Sequence, residues 1–227
     1  MHYLSSILAV FILSIQGSIA SSPPWYYHGL DGPIFKNTTV DNDIQVRDYQ
    51  AALWASTVVE GTQLNVAENV GFQRLFDYIS GENELGIPID MTTPVLTHVK
   101  PGSGPNCNST FTVSFFVPFE YQTAEGPPKP TSSLVYIESI GPLQVGVSEF
   151  DGYAIQAEIV VRTAALEKDI EKSEDVEVDT SSSSIEDTWW FAGYDPPFRV
   201  SNRHNEVWVP VISTTTTTKI KRSFLGH

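Results

Sequence analysis

The sequence predicts an α+β domain in which short strands outnumber two helices. Three observations carry that reading. Apolar residues alternate at period two through several short runs rich in Val, Ile, Phe, Tyr and Trp. In two stretches the period lengthens to that of an amphipathic helix. A faint internal echo, Ile44-Gln45-Val46 and Leu143-Gln144-Val145, leads each time from a strand past an aromatic residue to a helix farther on, which suggests a strand-helix unit used twice.

The elements follow in chain order. Residues 21–41 are dominated by turn chemistry at Pro23-Pro24, Gly29 and Gly32-Pro33 and read as an extended lead-in. Ile44 to Tyr49 alternates, and Ala52 to Val59 continues with β-branched and aromatic residues, so two strands or one bent strand open the domain. Asn65 is placed to cap a helix in which Phe72, Leu75, Phe76 and Ile79 fall at i, i+3, i+4 and i+7, with Gly81 as the left-handed residue beyond its end. At that spacing at least three of the four are expected to pack on the sheet. Pro-punctuated Ile87 to Val95 leads into a strand at 96–100, and residues 101–105 make a turn. Phe111 to Val117 is a strong strand, 118–131 a Pro-rich loop, and Val135 to Ile137 and Leu143 to Val147 are shorter strands. A second helix over Ile155 to Lys172 turns Ile159, Thr163, Leu166 and Ile170 inward. Residues 167–187, with nine acids and two bases, read as a solvated, mobile acidic loop. Glu206 to Val211 supplies a last strand, and 212–227 a frayed Thr-rich tail.

Composition narrows the class of function. With 13 Lys and Arg against 27 Asp and Glu, the chain carries −14, so attraction to nucleic-acid phosphates is excluded as a main activity. At 41% apolar and 11% aromatic residues, it is too hydrophobic for a disordered acidic chain. Ile7 to Ile15, followed by small residues ending at Ala20, has the pattern of a secretory signal peptide spanning 1–20; cleavage after Ala20 leaves a secreted, extracellular chain with no stable membrane insertion. Asn37-Thr38-Thr39 and Asn108-Ser109-Thr110 are N-glycosylation triplets, which places both segments on the surface. Cys107 is the single cysteine, so neither an intrachain disulfide nor a thiolate metal site forms. The nucleophile-elbow, zinc-protease, dinucleotide and phosphate-loop motifs are all missing. His28, His98 and His204 stand apart in the sequence, more in the manner of structural histidines than of ligands.

Two blocks are specific. Gly71-Phe72-Gln73-Arg74-Leu75-Phe76-Asp77-Tyr78-Ile79-Ser80-Gly81-Glu82-Asn83, followed by Ile89-Asp90-Met91-Thr92-Thr93-Pro94-Val95, closely resembles the signature of the SOUL haem-binding family. Ala192-Gly193-Tyr194-Asp195-Pro196-Pro197-Phe198, then Asn202-Arg203-His204-Asn205-Glu206-Val207-Trp208, resembles its C-terminal motif, and the likeness covers about residues 42–211. The resemblance implies a distorted antiparallel β-barrel flanked by two α-helices and built from two pseudo-symmetric halves. It also implies binding of a tetrapyrrole, haem or another porphyrin, in a shallow apolar groove by the first helix, and the expectation that follows is a monomeric, non-catalytic carrier.

A porphyrin is an apolar plate with two carboxylates, so its site needs apolar walls, cations for the propionates and, optionally, an iron ligand. Val66, Val70 and Phe72 offer walls, and Arg74 is the cation on the same helix; Arg47, Lys100 and Arg203 are further cations. Met91, His98, Tyr49 and Tyr78 are ligand types for iron, and if Leu96, His98 and Lys100 share one strand face, His98 can meet iron while Lys100 meets a propionate. Met91 to Val95 reads rather as a turn entering a strand, and Asn205-Glu206 as a buried polar tie. Two rival readings stand beside the carrier. One is an extracellular interaction module that meets basic protein partners through the acidic loop; the other is an enzyme acting on a tetrapyrrole.

Overall fold

The computed structural model describes residues 23–39, 44–104, 107–180 and 188–214. The proposed signal peptide and most of the Thr-rich tail lie outside these residues. Nine strands follow one hydrogen-bonded path: β1 (Phe35–Thr39), β2 (Gln45–Tyr49), β7 (Leu143–Phe150), β10 (Asn205–Ser213), β9 (Trp189–Gly193), β4 (Val95–Lys100), β5 (Ser109–Phe116), β3 (Ala52–Gly61) and β6 (Tyr136–Ile140). A short strand, β8 (Val176–Val178), pairs with β10 outside that path. Every pairing is antiparallel, and the sheet curls into a half-barrel with β1 and β6 at its two ends. The expected barrel is therefore open. The two echo segments lie side by side, with Val46 opposite Gly146.

Both helices cover one face of the sheet. α1 (Leu64–Ile79) packs on β3 and β5, and α2 (Gln156–Glu171) on β7, β8 and β10. Period-two alternation divides each strand between two environments. Val46, Val99, Phe111, Phe191, Val207 and Val209 point to the helices and join Leu64, Ala67, Ile159, Leu166 and Ile170. Tyr49, Trp54, Leu96, Trp190, Tyr194 and Trp208 point to the inside of the curl.

The second helix buries Ile159, Thr163, Leu166 and Ile170, the four positions its periodicity selects, and Thr163 Oγ1 donates to the Ile159 carbonyl at 2.9 Å. The first helix is rotated from expectation. Its buried stripe is Leu64, Ala67, Gly71, Leu75, Tyr78 and Ile79, whereas Phe72 and Phe76 remain 36% and 45% exposed, their rings stacked 5.8 Å apart. Gly71 explains the shift: a Cβ there would lie 2.5 Å from Val113 Cγ2, so the helix backbone sits directly on the sheet. Asn65 does not cap it either. The helix starts one residue earlier, and the Leu64 N–H donates instead to Gln156 Oε1 of α2 at 2.9 Å.

Two segments expected to be loose are anchored. In the lead-in, Trp25–Tyr27 forms a 3₁₀ turn whose Tyr26 and Tyr27 are buried on the inner face, and β1 pairs with β2. In the acidic segment, Ile170 and Val176 are buried and β8 is fixed by β10, with the Asp179 N–H donating to the Pro210 carbonyl at 3.0 Å; residues 181–187 lie outside the described part. Backbone pairing and a few buried side chains outweigh the turn chemistry of the first segment and the charge of the second. The C-terminal strand likewise runs past the expected start of the tail, to Ser213.

Candidate functional site

Three regions carry chemistry, and the sheet separates the first from the other two. The first is the outer surface of α1. Val66, Val70 and Arg74 follow one another at i, i+4 and i+8 and so share one flank of the helix. Val66 is 52% and Val70 38% exposed. Arg74 Nη1 donates to Thr57 Oγ1 at 3.2 Å and to the Val58 carbonyl at 3.0 Å, which fixes the guanidinium against β3 and leaves further N–H groups on the same fork. Phe72 belongs to the other flank, where it meets Phe115 edge-on at 5.2 Å. Tyr78 is buried and donates to the Pro128 carbonyl at 2.8 Å, and Met91 packs beside it in the same apolar cluster. Neither reaches the outer surface of α1.

Glu68, on the sheet-facing side of α1, accepts a hydrogen bond from Thr97 Oγ1 of β4 at 3.3 Å. Burial pushes its carboxyl up to about 7, and the Thr97 hydroxyl only partly offsets that.

The second region is a polar cluster on the inner face, centred on Glu206 of β10, whose side chain is fully buried. Arg47 Nη1 of β2 donates to its Oε2 at 2.8 Å and its Oε1 at 2.9 Å. Tyr194 OH and Trp208 Nε1 both donate to Oε2 at 2.7 Å, and His204 Nε2 lies 2.6 Å from Oε1. With the carboxylate ionised, His204 Nε2 must carry the hydrogen. Burial alone would raise the Glu206 pKa, but the His204 bond and the charge of Arg47 outweigh it and hold the group below the usual carboxylate range. Arg47 also meets the Tyr49 hydroxyl at 3.2 Å and Glu149 at 2.7 Å, so its fork is engaged throughout.

Tyr26 of the lead-in stacks on His204 at 3.8 Å, its ring within 9° of parallel, and Tyr27 stacks on Tyr194. Asp195 completes the closure: one oxygen meets His28 at 2.9 Å and Arg199 at 3.0 Å, and the other accepts the His204 backbone N–H. Among the described residues, Glu149, His204 and Glu206 bring three donor atoms close enough to hold a metal ion, but the Arg47 guanidinium already pairs with both carboxylates. The cluster is a tie between strands. Arg203 is equally committed, giving its N–H groups to the carbonyls of Gly152, Asp195, Pro196 and Arg199.

The third region is a cavity of about 130 Å³ elsewhere on the inner face, lined by Leu96 and His98 of β4, Thr112 and Ser114 of β5, Tyr136, Glu138 and Ile140 of β6, and Trp190 of β9. His98 stacks on Trp190 with ring centres 4.4 Å apart, and its Nε2 is buried without a hydrogen-bond partner. Burial, with the nearby Lys100 charge adding to it, lowers the His98 pKa to about 4, so the ring is neutral at pH 7. Lys100 shares its strand face at the exposed end of β4.

The eight haem-site candidates thus fall into separate places. Val66, Val70 and Arg74 are together; Phe72 is across the helix; Tyr78 and Met91 are packed beneath it; His98 and Lys100 lie on the opposite face of the sheet. Alternation along 96–100 was enough to pair His98 with Lys100. The roles of Glu68, Glu138 and Asp195 carry no local signal, because their partners come from distant strands.

A family model described as SOUL heme-binding protein matches residues 30–210. Heme-binding protein 2 of Homo sapiens is 36% identical over 169 residues, which span 73% of this chain and 76% of that protein. Heme-binding protein 1 of Sus scrofa is 29% identical over 196 residues, spanning 86% and 95%. Among solved structures, the EcmrR C-terminal domain superimposes with a TM-score of 0.53 at 8% identity over 80% of this chain and 99% of that one, a likeness of fold.

Two outcomes follow from the buried groups. Arg47→Met should cost about 3–5 kcal/mol in urea unfolding, because it strands a buried carboxylate, and adding Glu206→Leu should recover most of the loss; a double variant as unstable as the single one would contradict the tie. For Glu68, the folded pKa of about 7 lies above the ordinary value of 4.5, so its contribution to stability is full below about pH 4.5, falls as pH rises and is lost above about 7. Unfolding measured across that range should show Glu68→Gln gaining on the wild type as pH rises.

Proposed function

The chain belongs to the SOUL haem-binding family, and on that footing we propose that it is a monomeric, non-catalytic carrier or buffer of haem or another porphyrin. The macrocycle lies against the outer flank of α1, and Arg74 pairs with a propionate. The observation that carries this reading is the run Val66, Val70 and Arg74, where two exposed apolar side chains and a half-buried guanidinium held by β3 share one flank.

Other cations offered by the sequence are unsuited to that surface. Arg47 and Arg203 are buried and bonded internally, and Lys100 is on the other side of the sheet. Arg74 is anchored through one nitrogen, so a carboxylate meets an oriented fork rather than a free-swinging charge. The family name of the relatives supports the ligand class, and the groove and the propionate contact are our reading of this chain. In that placement the iron receives no axial ligand from His98, and the plate and propionates carry the binding. A net charge of −14 repels a dicarboxylate, which keeps affinity modest unless the local field of Arg74 prevails.

We further infer export, supported by the exposure of the two acceptor asparagines: Asn37 lies on the edge strand β1, and Asn108 follows the exposed Cys107. The protein should be recovered from culture medium with a glycosidase-sensitive mass that Asn37→Gln and Asn108→Gln each lower. Retention of an unglycosylated chain inside the cell would refute this.

Absorbance titration with haemin and with iron-free protoporphyrin tests the site. Both should bind one-to-one; Arg74→Glu should weaken both by about tenfold or more, the scale of one charged pair near 1.4 kcal/mol, and His98→Ala should leave both unchanged. Absence of saturable binding would overturn the carrier reading, and strong dependence on His98 would overturn the placement.

A further inference from the structure

The inner-face cavity is distinct from the outer surface of α1 and from the Glu206 tie. Its volume of about 130 Å³ is close to the ~150 Å³ of a cavity that admits benzene, so it matches one aromatic ring, with room for a second only toward its open side, and not a porphyrin. Leu96, Ile140 and Trp190 supply apolar wall. Of its polar lining, Ser114 Oγ is already paired with Ser56 Oγ at 2.8 Å. Thr112 and Tyr136 hydrogen-bond each other, and His98 Nε2 and the Glu138 carboxylate remain as acceptors. Neutral His98, with its hydrogen on Nδ1, presents the lone pair of the unpartnered, buried Nε2. Glu138 on β6 presents a carboxylate that makes no ion pair among the described residues.

A buried imidazole nitrogen without a partner is costly, and a ligand N–H would remove that cost. A carboxylate in the same cavity favours a positive charge on the ligand, and the acidic chain as a whole attracts one. We propose that this cavity is a binding site for a small aromatic amine of one or two rings, whose ring N–H donates to His98 Nε2 and whose ammonium pairs with Glu138. Trp190, stacked on His98, sets the imidazole plane and closes one wall. The proposal stands independently of tetrapyrrole binding, because the two sites lie on opposite faces of the sheet.

Tryptamine, N1-methyltryptamine and indole-3-acetate separate the contacts. Calorimetric titration of the full chain should show saturable tryptamine binding, at least tenfold weaker binding of the N1-methyl compound, because a site built to accept a hydrogen bond rejects an analogue that lacks the donor, and none of the acetate, whose carboxylate is repelled by Glu138. Glu138→Gln should reduce the preference for tryptamine over the acetate at least fivefold, and His98→Phe should abolish discrimination between tryptamine and its N1-methyl form; far-ultraviolet circular dichroism establishes that each variant folds. Nitrogen-correlated NMR should place the shifts on His98, Trp190 and Glu138, and haemin-loaded protein should bind tryptamine equally well. No saturable tryptamine binding, or binding indifferent to both substitutions, overturns the proposal.

Discussion

A carboxylate with no exposed surface organises the inside of this half-barrel. Glu206 receives Arg47 from β2, Tyr194 from the end of β9, and Trp208 and His204 from its own strand and the turn before it. A lone buried charge would cost several kcal/mol, so once Glu206 is placed on the inner face, each donor has to arrive with it. Satisfying that one group fixes the register of β2 against β7 and of β7 against β10, closes the 194–204 turn through Asp195, and gives the lead-in a surface of stacked aromatic rings to dock on. The tie makes this part of the inner face a structural interior. The proposed ligand contacts lie in the cavity beyond it and on the outer helix surface.

The separation of faces has a functional consequence. A curled antiparallel sheet puts alternate residues of each strand into two environments. His98 and Arg74, both reasonable partners for a tetrapyrrole when read along the chain, are therefore on opposite sides of a layer that neither crosses. Choosing between them turns on size. The His98 cavity, at about 130 Å³, is too small for a macrocycle, whereas the helix flank is open and carries an oriented cation.

Much of this was legible in the residues. The helical period of 156–171 placed its four buried side chains, and the alternation of 96–100 placed His98 beside Lys100 on one face. The reading of Asn205-Glu206 as a buried tie agrees with the network found there. What failed did so for physical reasons. Phe72 and Phe76 looked like the inward stripe of α1 because they are its largest apolar residues, but close approach at Gly71 turns smaller residues to the sheet. Aromatic residues beside Pro and Gly in 23–33, and acidic residues around Val176, suggested loose chain where long-range contacts anchor it. Glu138 could not be recognised at all, since its neighbours across the cavity come from strands far away in sequence.

Where the macrocycle sits is the central claim, and paramagnetic mapping addresses it directly. Nitrogen-correlated NMR spectra of the protein with haemin, compared with spectra of the iron-free protoporphyrin complex, report proximity to the iron residue by residue. Iron-dependent broadening should centre on the amides of 66–74 in α1 and on Thr57 and Val58 of β3. Broadening centred instead on His98 and Trp190, with α1 untouched, would contradict the account.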